Sequence, residues 1–121
     1  MLPTEAEQAI DLVELARLVG EDTDDFLVMM APIFLEDTHK LLDALNIAVQ
    51  NQDHKAIRQA AHTLKGTSAS LGMPRLSQFS RELEIMAKSE ETAEAPHKLA
   101  QIEAEYQRVQ VALEPFNTTA I

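Results

Sequence analysis

Three glycines and five prolines are all the strong punctuation in this chain of 121 residues. Between them the apolar residues recur at intervals of three and four, the repeat that lays one apolar stripe along an α-helix. The spacing predicts an all-α protein with helices over about 11–19, 24–50, 53–71, 74–88 and 92–115. Asp11 is placed to cap the first helix and Gly20 to end it in a left-handed turn. The acids Glu21, Asp22, Asp24 and Asp25 fall where the second helix begins, where negative charge caps and complements the dipole. Along that helix Phe26, Met30, Ile33, Leu41, Leu45 and Ala48 supply the expected inward face. Pro32 within it predicts a kink or a later start, because proline removes a hydrogen bond and crowds the preceding turn.

The polar joints are short. Asn51 to Asp53 separates the second and third helices, Gly72 ends the third, Pro74 opens the fourth, and Ser89 to Thr92 precedes the fifth. Pro96 is tolerable only in the first turn of that last helix. Loops of this length force neighbouring helices antiparallel. The expected architecture is therefore an antiparallel up-down four-helix bundle with a short additional N-terminal helix, and the length leaves room for one domain. Its stripes are Ile57, Ala61, Leu64, Ser68 and Leu71; then Leu76, Phe79, Leu83 and Met86; then Leu99, Ile102, Tyr106, Val109 and Leu113.

Composition narrows the function. Cysteine is absent, which removes disulfide scaffolds, Cys-ligated zinc and thiol catalysis. Twenty acidic residues against ten basic give a net charge of -10, which argues against nucleic acid, since that partner requires basic surface. No apolar run reaches the length of a membrane span, and Met1 to Gln8 lacks the basic and apolar regions of a signal peptide. A cytoplasmic setting follows as the expectation. Glu36 with His39 and Glu94 with His97 have the Glu-x-x-His spacing of di-iron bundles, but the inward positions are apolar and no metal site is expected. His39, His54 and His97 read as solvated side chains. Met29, Met30, Met73 and Met86 read as core filling or a rim rather than a binding surface.

His62 is different. The stripe of the third helix passes through Ala61 and Leu64, and a step of one residue turns about 100°, which rotates His62 out of the core. Lys65 and Gly66, three and four residues on, adjoin it on the same face. A glycine inside a helix costs about 1 kcal/mol relative to alanine, which is explained by close helix packing or by something large that approaches the ring. An ordinary imidazole, with a pKa of about 6.5, is mostly neutral at pH 7 and keeps one nitrogen lone pair for nucleophilic attack. The third helix offers no orienting carboxylate or oxyanion hole, so a hydrolase is not indicated. An exposed nucleophile without machinery suits a protein that receives a group from an activated donor.

The run from Ala61 through His62, Leu64, Lys65 and Gly66 to Leu71 and Gly72, followed by Leu76 and by Leu83 with Glu84, resembles the histidine-containing phosphotransfer (HPt) domain of multistep two-component signalling. The resemblance covers about Asp11 to Leu113. It implies that His62 accepts a phosphoryl group from the aspartate of a receiver domain and passes it to another. It implies that Lys65 offsets phosphoryl charge, that Gln59 orients the ring or contacts the phosphate, and that Gly66 gives access. Lys55, Arg58 and Ala69 join Gly66 on the implied partner face. The implied partners are receiver domains of response regulators and of a hybrid histidine kinase. The implied Mg²⁺ sits in the receiver, with no cofactor bound by this chain, and a monomer is expected. The competing reading is a helical partner-binding or kinase-regulating module without phosphoryl transfer, which has no need of His62, Lys65 and Gly66 together. From His54 to Arg75 there are four basic residues, Lys55, Arg58, Lys65 and Arg75, and no acid, so this stretch carries +4 within a chain of -10. A locally basic face around His62 suits an acidic partner site.

Overall fold

A computed structural model describes residues 8–20 and 22–117. Glu21 and all but Gln8 of the N-terminal residues considered for targeting lie outside the described residues. Five α-helices run in order: α1 (Leu12–Val19), α2 (Thr23–Gln50), α3 (His54–Ser70), α4 (Pro74–Lys88) and α5 (Ala95–Leu113), followed by a 3₁₀ turn over Glu114–Phe116. No strand occurs among the described residues. The expected all-helical architecture is found. No described helix is long and apolar enough to cross a membrane.

Local chemistry sets the boundaries. Asp11 caps α1 by accepting the Glu14 amide at 3.0 Å, and Gly20 ends it at φ +89°. Asp53 caps α3 in the same way through the Ala56 amide at 3.1 Å, so the residue expected to begin the helix stands just outside it. Asp22 occupies the cap position of α2, yet its side chain makes no capping bond; Asp24 and Asp25 lie in the first turn, where the helix dipole favours them. Pro74 opens α4, and Pro96 is the second residue of α5, within its first turn. The last helix starts three residues later than its spacing predicts, because Thr92 to Glu94 form the turn that leads into it.

Pro32 does not interrupt α2, which runs unbroken for 28 residues. The proline removes the amide that would have bonded the Val28 carbonyl, and Val28 is an exposed residue where water can replace that bond. The inward face of α2 is also displaced from expectation. It consists of Leu27, Ala31, Phe34, Thr38, Leu42, Leu45 and Ala48, whereas Ile33 is 51% exposed and Phe26, Met30 and Leu41 are half-buried.

The core joins these stripes. Ile57, Ala61, Leu64, Ser68 and Leu71 face Leu76, Leu83 and Ala87, and Leu99, Ile102, Tyr106, Val109 and Leu113 close the bundle. Phe79 and Met86 pack half-buried against that core. The pairing of α3 with α4 is the most extensive in the molecule. The Tyr106 hydroxyl donates to the Leu35 carbonyl at 2.8 Å, tying α5 to α2. Gly72, at φ +69°, lets the chain turn from α3 to α4 beneath α1. Its carbonyl accepts the Asp11 amide at 2.7 Å, and a Cβ there would meet the Asp11 carbonyl oxygen at 3.0 Å. That contact holds α1 across the end of the α3–α4 pair.

Candidate functional site

His62 stands on the outer side of α3 with its side chain 67% exposed. Its Nδ1 lies 2.7 Å from Oε2 of Glu84, which reaches across from α4. Glu84 is only 4% exposed, and its other oxygen, Oε1, accepts from Lys65 Nζ at 2.7 Å. A second cation, Lys88, sits 3.9 Å from Oε2. The Lys65 hydrogen bond, assisted by the His62 bond and by the charges of Lys65 and Lys88, outweighs burial and holds the Glu84 carboxyl below the usual carboxylate range. An ionised carboxylate can only accept, so Nδ1 carries the proton and donates it. In the neutral ring Nε2 is then the nitrogen that keeps its lone pair, away from Glu84. The orienting carboxylate that α3 lacks is thus supplied by the next helix.

The depression around the ring is lined by Arg58, Gln59, His62, Thr63, Lys65, Glu84 and Lys88. It brings together His62, Lys65, Gln59 and Arg58 as expected, and adds two residues of α4. Three of its groups are permanent cations and one is an acid, so its field favours an anion at the imidazole. Gln59 lines it, but its side-chain amide makes no hydrogen bond among the described residues; the group that grips the ring is Glu84. Lys65 is not the free charge that its spacing suggested, since its ammonium is bound to Glu84 and its side chain is 32% exposed. Gly66 and Ala69 fall on the other side of Lys65, where they line a second groove with Pro74, Ser77 and Arg81. Lys55 is exposed two turns before His62 and lines neither hollow.

A Cβ built on Gly66 meets nothing within 4 Å, so close helix packing does not explain the glycine. The hydroxyls of this face are bonded within α3 itself. Thr63 Oγ1 donates to the Gln59 carbonyl at 3.1 Å, Thr67 to Thr63 at 2.9 Å and Ser70 to Gly66 at 2.9 Å.

Glu84 was legible in part. It lies four residues after Ser80 and three before Ala87, on the buried side of α4, and an acid on a buried stripe demands a partner. Nothing in the linear sequence told which cations would meet it. The remaining histidines stay outside the site: His39 and His97 are exposed, and His54 is half-buried with Nε2 3.1 Å from Thr92 Oγ1. No group of three potential metal ligands occurs among the described residues. At His62 itself the one carboxylate is already engaged by cations, so these residues do not fit a resident divalent ion.

An exposed imidazole with one nitrogen clamped and the other free, on the second full-length helix of an antiparallel bundle, defines a class of histidine-presenting helical proteins. The Hpt domain family matches residues 29–112, and the chain belongs to that family. It is 35% identical over 66 residues to histidine-containing phosphotransfer protein 5 of Arabidopsis thaliana, covering 52% of this chain and 42% of that protein. It is 36% identical over 96 residues to the sensor protein TorS of Escherichia coli (strain K12), covering 76% of this chain and 10% of TorS. The chain thus spans less than half the length of either. The crystal structure of histidine-containing phosphotransfer protein B (HptB) from Pseudomonas aeruginosa PAO1 superposes with a TM-score of 0.73 at 29% identity, covering 86% of this chain and 87% of that one.

Proposed function

We propose that this chain is a phosphorelay intermediate in which Nε2 of His62 accepts a phosphoryl group from a receiver-domain aspartate and returns it to another receiver. The observation that carries the reading is the clamp on Nδ1, because a neutral ring fixed in that tautomer presents its lone pair outward from Nε2. In the transfer the bond between phosphorus and the aspartyl oxygen breaks and the bond between Nε2 and phosphorus forms. The aspartate leaves as carboxylate. The proton on Nδ1 stays where it is, and the ring, now cationic, is balanced by Glu84 2.7 Å away. Phosphoryl transfer proceeds through a loose transition state that is helped by positioning and charge more than by covalent machinery. A helix that presents one aligned nitrogen performs the acceptor's half.

The remaining groups fall into place around that step. Mg²⁺ belongs to the receiver in this reading, consistent with the engaged carboxylate at His62. The +4 segment from His54 to Arg75 steers an acidic receiver site toward the ring, while the acidic remainder of the surface disfavours other contacts. Gly66 leaves the flank of the ring open to an incoming domain. The reading carries with it receiver domains of response regulators and of a hybrid kinase as partners, a monomeric bundle and a cytoplasmic setting. Incubation with a phosphorylated receiver is expected to place an acid-labile, base-stable label on the protein. His62→Gln, a change at an exposed position that leaves the fold intact, is expected to abolish it. A label that persists undiminished in that variant refutes the assignment.

A further inference from the structure

Resting on the phosphoacceptor role of His62, we propose that the cation which touches the phosphoryl group is Lys88, and that Lys65 acts one step removed, as a positioning residue that holds Glu84. The argument is a division of labour around one carboxylate. Glu84 has two oxygens. Oε1 is taken by Lys65 at 2.7 Å and Oε2 by the ring nitrogen at 2.7 Å. The Lys65 ammonium is therefore committed to Glu84, although its side chain lines the same depression. Moving it to a phosphoryl group would strip a 4% exposed carboxylate of its direct ammonium partner just when the ring needs that carboxylate aligned.

Lys88 is placed differently. Its Nζ stands 3.9 Å from the same oxygen that grips the ring, one contact from the imidazole, yet beyond hydrogen-bond length. Its side chain is 57% exposed and lies on the wall of the depression that opens at His62. A loosely held ammonium on a flexible four-carbon stem can swing to an anion arriving at Nε2 without breaking a hydrogen bond. The other free cation in the depression, Arg58, sits one turn earlier on α3. Side chains on a helix lean toward its N-terminus, so the stem of Arg58 sets out away from the ring, although the residue lines the same depression. The charged groups of the depression are thus Lys88, held only loosely, Arg58, and the hydrogen-bonded pair of Lys65 with Glu84.

The test separates touching from positioning. The protein is phosphorylated with phosphoramidate, which needs no receiver, and the phosphohistidine ³¹P resonance is titrated with pH. A cation in contact favours the phosphoryl dianion and lowers its titration point. Lys88→Met is therefore expected to raise that point by about 0.5 pH unit, the effect of one partly screened charge a few ångströms away, while the ¹⁵N signature of a protonated Nδ1 in the unphosphorylated protein stays unchanged. Lys65→Met is expected to do the reverse: to weaken the Nδ1–H signature and leave the phosphoryl titration in place. Lys65→Arg, which keeps a donor on Glu84, restores the signature. A titration that moves with Lys65 and ignores Lys88 overturns the inference alone. Absence of a phosphohistidine resonance, or its survival in His62→Gln, overturns the acceptor role and the inference with it.

Discussion

Replacing Glu84 with glutamine removes one charge and almost no volume, and its consequences differ for rate and for equilibrium. The amide oxygen of Gln still accepts the Nδ1 proton, so the ring keeps its orientation. What is lost is the negative charge that balances the imidazolium formed when Nε2 takes the phosphoryl group. Two unit charges about 4 Å apart attract by about 1 kcal/mol in water and about 4 kcal/mol at an effective dielectric of 20. The Glu84 side is enclosed and the His62 side is open, at 4% and 67% exposure, which places the pair between those limits at about 2 kcal/mol. A fully formed phosphohistidine loses that whole amount, a shift of about 30-fold in its equilibrium with a phosphorylated receiver. The loose transition state has developed only part of the ring charge, so the forward rate falls less, by about tenfold. The assay is a single-turnover transfer from a radiolabelled receiver, followed to its plateau and then run in reverse. Urea titration checks the fold, where the Lys65 ammonium loses its acceptor to an amide NH₂ and the His62 bond is weakened, at a cost of about 1–3 kcal/mol, within the reserve of a typical domain. Glu84→Gln reaching the wild-type plateau at the wild-type rate would refute the charge-balance argument. An equal drop in forward rate and equilibrium, with the reverse rate untouched, would place the full charge in the transition state and contradict its looseness.

Gly66 divides small donors from large ones. Because a Cβ there meets nothing, Gly66→Ala is expected to stabilise the protein by about 0.5–1 kcal/mol in urea unfolding, and Gly66→Gln to slow transfer from a receiver at least tenfold while phosphoramidate labelling proceeds as before; equal slowing of both would show that the side chain disturbs the ring rather than the docking. Gly72→Ala forces a Cβ into a left-handed position 3.0 Å from the Asp11 carbonyl oxygen, and a loss of about 2–3 kcal/mol is expected from strain and crowding together. A loss under about 0.5 kcal/mol would mean that α1 shifts freely. Acid should expose the Glu84 contribution with a definite sign. Its folded pKa lies below its ordinary value, so the stabilisation is complete above the unfolded value of about 4.3 and disappears as pH falls through the lower folded one. The stability gap between wild type and Glu84→Gln is therefore expected to narrow as pH falls below about 4, and a gap that persists undiminished through that acid range would contradict the assignment.

How far the sequence revealed this molecule depends on how many faces of each helix were apolar. On α3 a single stripe was available, and Ile57, Ala61, Leu64, Ser68 and Leu71 are all buried as the spacing required. The first half of α2 carries Phe26, Leu27, Val28, Met29, Met30, Ala31, Ile33, Phe34 and Leu35, apolar on every side. There the period selects no face, and the choice between Ile33 and Phe34 was settled by packing against the other helices. For a related reason Pro32 did not delay the start of α2: its cost is local, and the length of packed helix on either side of it holds α2 continuous from Thr23. At the site, His62 could be placed from its neighbours on one helix. Its partner Glu84 is 22 residues away on another, and the hydrogen bond between them exists only because α3 and α4 pack in one particular register. Lys65 changed meaning for the same reason, since a charge judged from its own helix alone looks free until the facing helix supplies an acid.

The hydroxyl ladder of α3 bears on how quickly a partner can come and go. Thr63, Thr67 and Ser70 each donate to a carbonyl of the preceding turn, so on the face that surrounds His62 these protons are already committed within the helix. A domain settling there strips little tightly held water and gains few new hydrogen bonds in exchange, and the contact is left to charge and shape. A surface of this kind leaves association to the electrostatic field and gives release few hydrogen bonds to break. In the proposed relay the molecule leaves one partner before it serves the next, and hydroxyls that have satisfied themselves in advance favour such an exchange.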